Sequence, residues 1–350
     1  MSFNSEFFIG AHQVGTGHTP FLIAEISANH NQSLTKALEL IEAAAKTGVQ
    51  AVKLQTYTPD TLTMPGAYTI ENPDSLWNGR DLHELYQEAY TPWEWHKELF
   101  VRAEELGLIC FSSPFDETAV DFLEDLNAPC YKIASFENGH LPLLRKVAKT
   151  GKPVIMSTGV TPWEELEESV HCLYEAGCRD LVLLKCTSSY PALPEDANLR
   201  AMRTLQERFS CPVGLSDHTL GLAVPLASIA LGACVIEKHF TWDRSEGGVD
   251  AAFSLEPAEF TQLAEESTRA FRSLGNGTWH LSAKETANRF FRRSIYVAKA
   301  VAEGEVVTEA HLKIIRPSQG LHPRHWEDCI GKRAARPLAQ GYPLQAGDLI

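Results

Sequence analysis

Three lysines stand inside runs of β-branched and apolar residues, where a charge is costly: Lys53, Lys132 and Lys185. Serines close or flank similar runs at Ser113, Ser135, Ser157 and Ser216. Ammonium point charges among hydroxyls make a cradle for phosphate and carboxylate groups. The competing structural reading has each lysine snorkelling along a wall or pairing with a buried acid. Two histidines, His218 and His239, end two successive runs. Adjacent strands lie about 4.8 Å apart, so two imidazoles there can reach one cation. Two protein ligands leave positions open for water or substrate, which suits a Lewis acid polarising a carbonyl. Imidazole favours a transition ion such as manganese over calcium, although Mg2+ or Co2+ also fits such a set. On spacing alone, two unrelated structural histidines satisfy the pattern nearly as well.

These residues need elements to hold them. Short apolar runs recur at Phe21–Ala28, Ala51–Tyr57, Leu108–Phe115, Cys130–Phe136, Pro153–Gly159, Leu181–Ser189, Pro212–His218 and Ala233–Phe240. Segments of helical periodicity separate them: Leu34–Thr47, Trp93–Leu106, Glu117–Asp125, Leu141–Lys149, Trp163–Glu175, Leu199–Arg208 and Gly221–Leu231, with Pro257–Leu274 last. Eight strand–helix units predict an α/β fold, a closed (β/α)8 barrel of the TIM type. An open doubly wound sheet is the alternative, but no G-x-G-x-x-G follows the first run. Polar residues gather at the C-terminal ends of the runs, where barrel enzymes place their chemistry. Beyond the lysines, serines and histidines these include Glu25, Gln55, Glu137, Ser188 and Glu237. The segment Phe7–Val14 reads as a hairpin able to plug the barrel bottom. The insertion Thr58–Tyr90, rich in Pro, Asn and aromatics, lies on the strand-exit side and reads as a substrate loop.

The chain has 350 residues and a formal net charge of −14, which argues against broad nucleic-acid or membrane-surface binding. Its apolar stretches are strand-sized, well short of the ~20 residues of a membrane helix. With no secretory leader legible at Met1–Phe8, a cytoplasmic location is expected. The eight cysteines form no C-x-x-C pair and read as reduced core thiols. The pattern changes near Gly275–Gly277. The expected organisation is a barrel over 1–280 with its N-terminal hairpin, a linker over 281–292 and a small tail domain over 293–350.

The stretches AEISANHN (Ala24–Asn31), KLQTYT (Lys53–Thr58), FSSPF (Phe111–Phe115), YKIAS (Tyr131–Ser135), STG (Ser157–Gly159), KCTSSYP (Lys185–Pro191), GLSDH (Gly214–His218) and IEKHF (Ile236–Phe240) resemble the sialic acid synthase family. The tail resembles the antifreeze-like (SAF) domain that ends those proteins. YTPDTLT (Tyr57–Thr63), LWNGRDLHELY (Leu76–Tyr86), TPWEWH (Thr91–His96) and DAAFSL (Asp250–Leu255) look like the pseudaminic branch. Sialic acid synthases typically carry His-Cys-Thr where this chain has Lys185–Cys186–Thr187. The resemblance implies a (β/α)8 barrel in a domain-swapped homodimer. It implies that His218 and His239 hold a divalent metal, and that Lys53, Lys132, Ser135, Ser157 and Ser216 bind phosphoenolpyruvate. It further implies that Glu25, Gln55, Glu137, Tyr190 and Asp250 face an amino sugar or the attacking water, and that Arg316 reaches across the dimer to an N-acetyl group.

The expected chemistry is attack of carbon 3 of phosphoenolpyruvate on the sugar aldehyde, addition of water at carbon 2 and loss of phosphate. The lysines then act as anion ligands, not nucleophiles. The legionaminic and sialic branches of the same family stay open, and two rivals of other classes remain at this stage. A Schiff-base aldolase on the same fold would use a desolvated lysine such as Lys185. A non-catalytic sugar-binding protein would use the tail and keep the barrel as a platform.

Overall fold

The computed structural model describes residues 1–73 and 77–350, so Leu76 of the LWNGRDLHELY stretch lies outside the described residues. Two compact units divide the chain, Met1–Leu274 and Gly275–Ile350. Within the first, a two-stranded hairpin, β1 (Glu6–Ile9) and β2 (His12–Gly15), precedes eight parallel strands: β3 (Phe21–Glu25), β4 (Ala51–Thr56), β5 (Ile109–Pro114), β6 (Tyr131–Ile133), β7 (Val154–Ser157), β8 (Leu181–Cys186), β9 (Val213–Asp217) and β10 (Ala233–His239). They pair in chain order, and β10 closes on β3 through His239↔Glu25. The predicted barrel is therefore present.

Alternation along the strands sorts their side chains. One set, including Val52, Leu54, Leu181 and Leu183, joins the helices in the larger core. The other set faces the barrel axis. At its lower end Phe21, Ile23, Ala51, Phe111, Ile155, Val182 and Leu184 pack with Phe7, Ile9 and Val14 of the hairpin. That apolar plug closes the N-terminal end of the barrel.

Helices Glu117–Asp125, Leu141–Lys149 and Trp163–Glu175 occupy the residues their periodicity predicts. The helix expected from Leu199 starts at Ala201, following Asn198, whose φ of 41° breaks the regular backbone. The first run was expected to reach Ala28, but the strand stops at Glu25 and Ser27 turns with φ 46°. The run over Cys130–Phe136 forms only three strand residues, then a 3-10 turn over Ser135–Glu137. Two helices in the insertion, Pro59–Leu62 and Leu82–Ala89, were not read from periodicity. Their signals are local: Pro59 at a first helical position, and Asp81, whose carboxylate accepts from the His83 and Glu84 amides.

The second unit has its own small core of Ile295, Val297, Val301, Val307, Leu312, Leu338 and Leu344. Strand β11 (Ser294–Val297) pairs antiparallel with β12 (Leu312–Ile315). A short helix, Ala283–Asn288, and a 3-10 turn over Arg289–Phe291 occupy the stretch expected as a linker. Among the described residues no helix is long and apolar enough to cross a membrane.

Candidate active site

The axis-facing positions change chemistry toward the C-terminal strand ends. Glu25 follows Ile23, Lys53 follows Ala51, Ser113 follows Phe111, Ser157 follows Ile155 and Glu237 follows Val235, each two residues on. Period-two geometry places all of them on the inside. Ten residues of this region are less than a tenth exposed: Glu25, Lys53, Ser113, Lys132, Ser135, Glu137, Ser157, Ser216, His239 and Glu237.

Lys53 Nζ lies 2.7 Å from Glu25 Oε2 and 3.5 Å from Glu237 Oε1. Lys132 Nζ lies 3.8 Å from the same Glu237 oxygen and donates to Ser157 Oγ at 2.7 Å. Ser216 Oγ donates to Glu237 Oε1 at 3.2 Å, and Lys53 Nζ donates to Ser113 Oγ at 3.4 Å. Two ammonium groups thus straddle one carboxylate. Burial works against the Lys53 charge, but Glu237 and Glu25 outweigh it and raise its pKa above the usual value. Lys132 goes the other way, because burial outweighs Glu237 and Lys53 repels it. Burial opposes ionisation of Glu237, and the two lysines overcome it, holding its pKa low. Glu237 stands among the strand-end residues legible in sequence, yet its role as the hub was missed. The signal was available: two buried lysines require a buried acid.

Above this layer, Gln55 Nε2 donates to Glu25 Oε1 and Ser27 Oγ, both at 2.9 Å. Ser27 Oγ donates a short bond to Asp250 Oδ2. Ser27 was also missed, since its inward direction depends on the left-handed backbone at that residue. Burial raises Glu25 to about 6, against the pull of Lys53, and raises Glu137 to about 7, against Lys132. Glu137 Oε2 has no hydrogen-bond partner despite its burial. Ser135 Oγ accepts from the Gly159 amide at 3.1 Å. A β-carbon at Gly159 would meet Ser188 Oγ at 2.2 Å and Ser135 Oγ at 2.8 Å, so only glycine allows that approach.

The two histidine rings lie 5.3 Å apart between centroids. His218 Nδ1 donates to the Thr187 carbonyl at 2.9 Å, and the ring also hydrogen-bonds with Cys186. His239 Nδ1 is buried without a hydrogen-bond partner and lies 3.9 Å from Asp250 Oδ2. Burial and then the neighbouring His218 hold His239 far below its usual pKa, so it is neutral and able to ligate. Among the described residues no group of three or more His, Cys, Asp or Glu is arranged to hold a metal. The pair alone, with an orphaned buried nitrogen, fits a cation whose other positions go to water or substrate.

Two expected residues stand elsewhere. Lys185 does not join the cradle, which is a correction. On β8 the inward positions are Val182, Leu184 and Cys186, so Lys185 has the parity of Leu181 and Leu183. Its Nζ donates to the Cys186 carbonyl at 2.9 Å and Thr187 Oγ1 at 3.2 Å. Cys186 takes the inward place. Burial opposes its thiolate, but His218, Ser135 and Lys132 prevail and lower its pKa to about 6. Arg316 is exposed on the second unit, just past β12, and is not among the barrel residues.

A cavity of about 760 Å³ opens over these groups. Gln55, Glu137, Ser188, His239 and Asp250 line it, together with Tyr190. The Tyr190 ring lies 4.4 Å from the His218 ring and 5.2 Å from Phe253. Leu62, Ile70, Trp77 and Tyr86 of the insertion also line it, although no pattern in the chain singles them out individually.

Such a site can hold an anion on paired ammoniums and hydroxyls, polarise a carbonyl at the histidines and move a proton at Glu137. Comparison with known proteins agrees with the barrel and the tail. Residues 40–279 match the NeuB family and residues 292–350 match the SAF domain. Pseudaminic acid synthase of Campylobacter jejuni subsp. jejuni serotype O:2 is 44% identical over 342 residues, covering 96% of this chain and 99% of that protein. Pseudaminic acid synthase of Helicobacter pylori is 42% identical over 335 residues, covering 94% and 98%. The crystal structure of N-acetylneuraminic acid synthetase from Leptospira borgpetersenii serovar Hardjo-bovis, in complex with citrate, superposes with a TM-score of 0.74 at 31% identity, covering 82% of this chain and 96% of that one.

Proposed function

The chain belongs to the NeuB family, and we propose that it is a pseudaminic acid synthase. It condenses phosphoenolpyruvate with 2,4-diacetamido-2,4,6-trideoxy-β-L-altropyranose and water, and it releases phosphate and a nonulosonic acid. The observation that carries this reading is the pair of buried lysines straddling Glu237, together with a cavity of about 760 Å³ lined by His239, Glu137 and Asp250. Identity of 42–44% to pseudaminic acid synthases over nearly the full chain supports the branch.

In this reading Lys53 and Lys132 bind the phosphate and carboxylate, with Ser113, Ser135, Ser157 and Ser216 completing the cradle. Their charges are in place before substrate arrives, so little reorganisation is needed. His218 and His239 would hold a divalent cation, manganese by preference, which when bound polarises the sugar aldehyde. Carbon 3 of phosphoenolpyruvate attacks that aldehyde, and water adds at carbon 2. Glu137, with a pKa near 7, takes the proton from this water as a base. Loss of phosphate leaves a 2-keto acid. Glu25, held by Lys53 and Gln55, faces the new hydroxyl, while Asp250, Ser188 and Tyr190 orient the sugar. Arg316 of a second copy contacts an acetamido group in a domain-swapped homodimer, and the enzyme works in the cytoplasm.

The decisive test is phosphate release from phosphoenolpyruvate with manganese, comparing the altro sugar with its manno isomer and with N-acetylmannosamine. Release with the altro sugar, lost with a chelator and restored by metal, is expected. Release with one of the other sugars alone would move the protein to a legionaminic or sialic branch.

A further inference from the structure

The cavity has two linings of different origin. Its polar groups, such as Gln55, Glu137 and His239, stand at strand ends or in the turns just beyond them. Its apolar groups come largely from the insertion after β4: Leu62, Ile70, Leu82 and Leu85. Leu85 is 5% exposed, whereas Leu62, Ile70 and Leu82 are only half-buried around the open space. Aliphatic side chains turned toward a cavity instead of a core call for an occupant with an apolar surface. A ladder of rings joins the two linings. Tyr190 lies 4.4 Å from His218 on one side and 5.9 Å from Trp77 of the insertion on the other.

The direction of the substrate follows, resting on the condensation proposed above. The aldehyde carbon must meet phosphoenolpyruvate over the polar groups beside His239, so the far end of the sugar chain points toward the insertion. We propose that Leu62, Ile70, Leu82 and Leu85 form a specificity wall that receives the deoxygenated carbon 6 of the sugar and excludes a 6-hydroxyl. These side chains carry no hydrogen-bonding group, so a hydroxyl pressed against them loses its water partners without replacement. An apolar wall rejects an added hydroxyl by about 10- to 100-fold. The wall acts on substrate choice and takes no part in the bond-making steps.

The test measures phosphate release with phosphoenolpyruvate and two sugars that differ by one atom, 2,4-diacetamido-2,4,6-trideoxy-altrose and its 6-hydroxy counterpart. The wild type is expected to favour the 6-deoxy sugar in kcat/KM by about 10- to 100-fold. Leu62→Asn and Leu82→Asn, each offering the hydroxyl a partner, are expected to narrow that ratio by about fivefold or more. Phosphate release from both sugars at equal efficiency in the wild type overturns the wall while the condensation stands. So does a wild-type preference that neither substitution changes. Should one variant fail to fold, the other decides, and the wild-type ratio decides alone if both fail. No phosphate release with either sugar overturns the condensation and the wall with it.

Discussion

The two ends of the barrel share strands and alternation, yet they hold opposite chemistry. On β3 the inward residues run Phe21, Ile23, Glu25; on β5 they run Ile109, Phe111, Ser113. Below, apolar side chains close on the hairpin and every contact favours folding. Above, two lysines and two glutamates are buried together, and Glu137 keeps an unpaired oxygen. Burying such groups costs stability even when they are paired. The plugged end stabilises the scaffold, and the open end draws on that stability to hold charges ready. The first unit is therefore expected to lose activity and stability at different positions.

The largest effect expected is on turnover at the open end. Lys132→Met removes a cation disfavoured by burial, and kcat/KM should fall by about 10²- to 10³-fold. Its Tm should change less than that of a core truncation at the plugged end, because a disfavoured buried ammonium is removed while Glu237 keeps Lys53 as its remaining cation. Thermal unfolding alongside a phosphate-release assay checks this, and a large fall in Tm would break the comparison. At the plugged end the reverse holds. Phe111→Ala should cost about 3–5 kcal/mol in denaturant unfolding, with KM for phosphoenolpyruvate unchanged in the molecules that remain folded.

Glu137 sharpens the contrast through pH. Its folded pKa, about 7, exceeds the usual 4.5, so the folded state holds this proton more tightly than the unfolded state. The stability linked to that proton is fully present below about 4.5 and is lost as pH rises through about 7. Glu137→Gln should therefore gain Tm relative to wild type at pH 8 and not at pH 4. As the base for water, the carboxylate also predicts turnover rising through about pH 7, a limb that Glu137→Gln should abolish with a loss of about 10²-fold or more. The smallest effect is expected at Lys185. Its outward parity as a half-buried residue predicts that Lys185→Ala changes kcat/KM by less than about threefold.

The barrel and most of its helices were legible because period-two and 3.6-residue patterns extend over whole elements. Lys53, Lys132 and the histidine pair were legible for a related reason, since polar residues ending apolar strands need a common partner. Lys185 shows where that reasoning fails. A lysine near the end of an apolar strand faces inward or outward according to parity, and parity follows from the register of neighbours such as Leu184, not from residue type. Ser27 and Glu237 were missed for different reasons. Ser27 turns inward through a positive φ that its local sequence does not announce, whereas Glu237 matters through residues 184 and 105 positions distant in the chain. The insertion's helices escaped because they are one or two turns long, too short for periodicity and visible only through their caps.

The hairpin plug also bears on the order of events. A vessel sealed at its base has one doorway, and whatever settles deepest must enter first and leave last. The lysine cradle lies nearer the plug than the ringed, leucine-lined mouth does. In the proposed reaction phosphoenolpyruvate is therefore expected to bind before the sugar, which would then cover it. Phe7, Ile9 and Val14, packed in the plug and absent from the cavity lining, thereby favour a queue in the traffic through the enzyme.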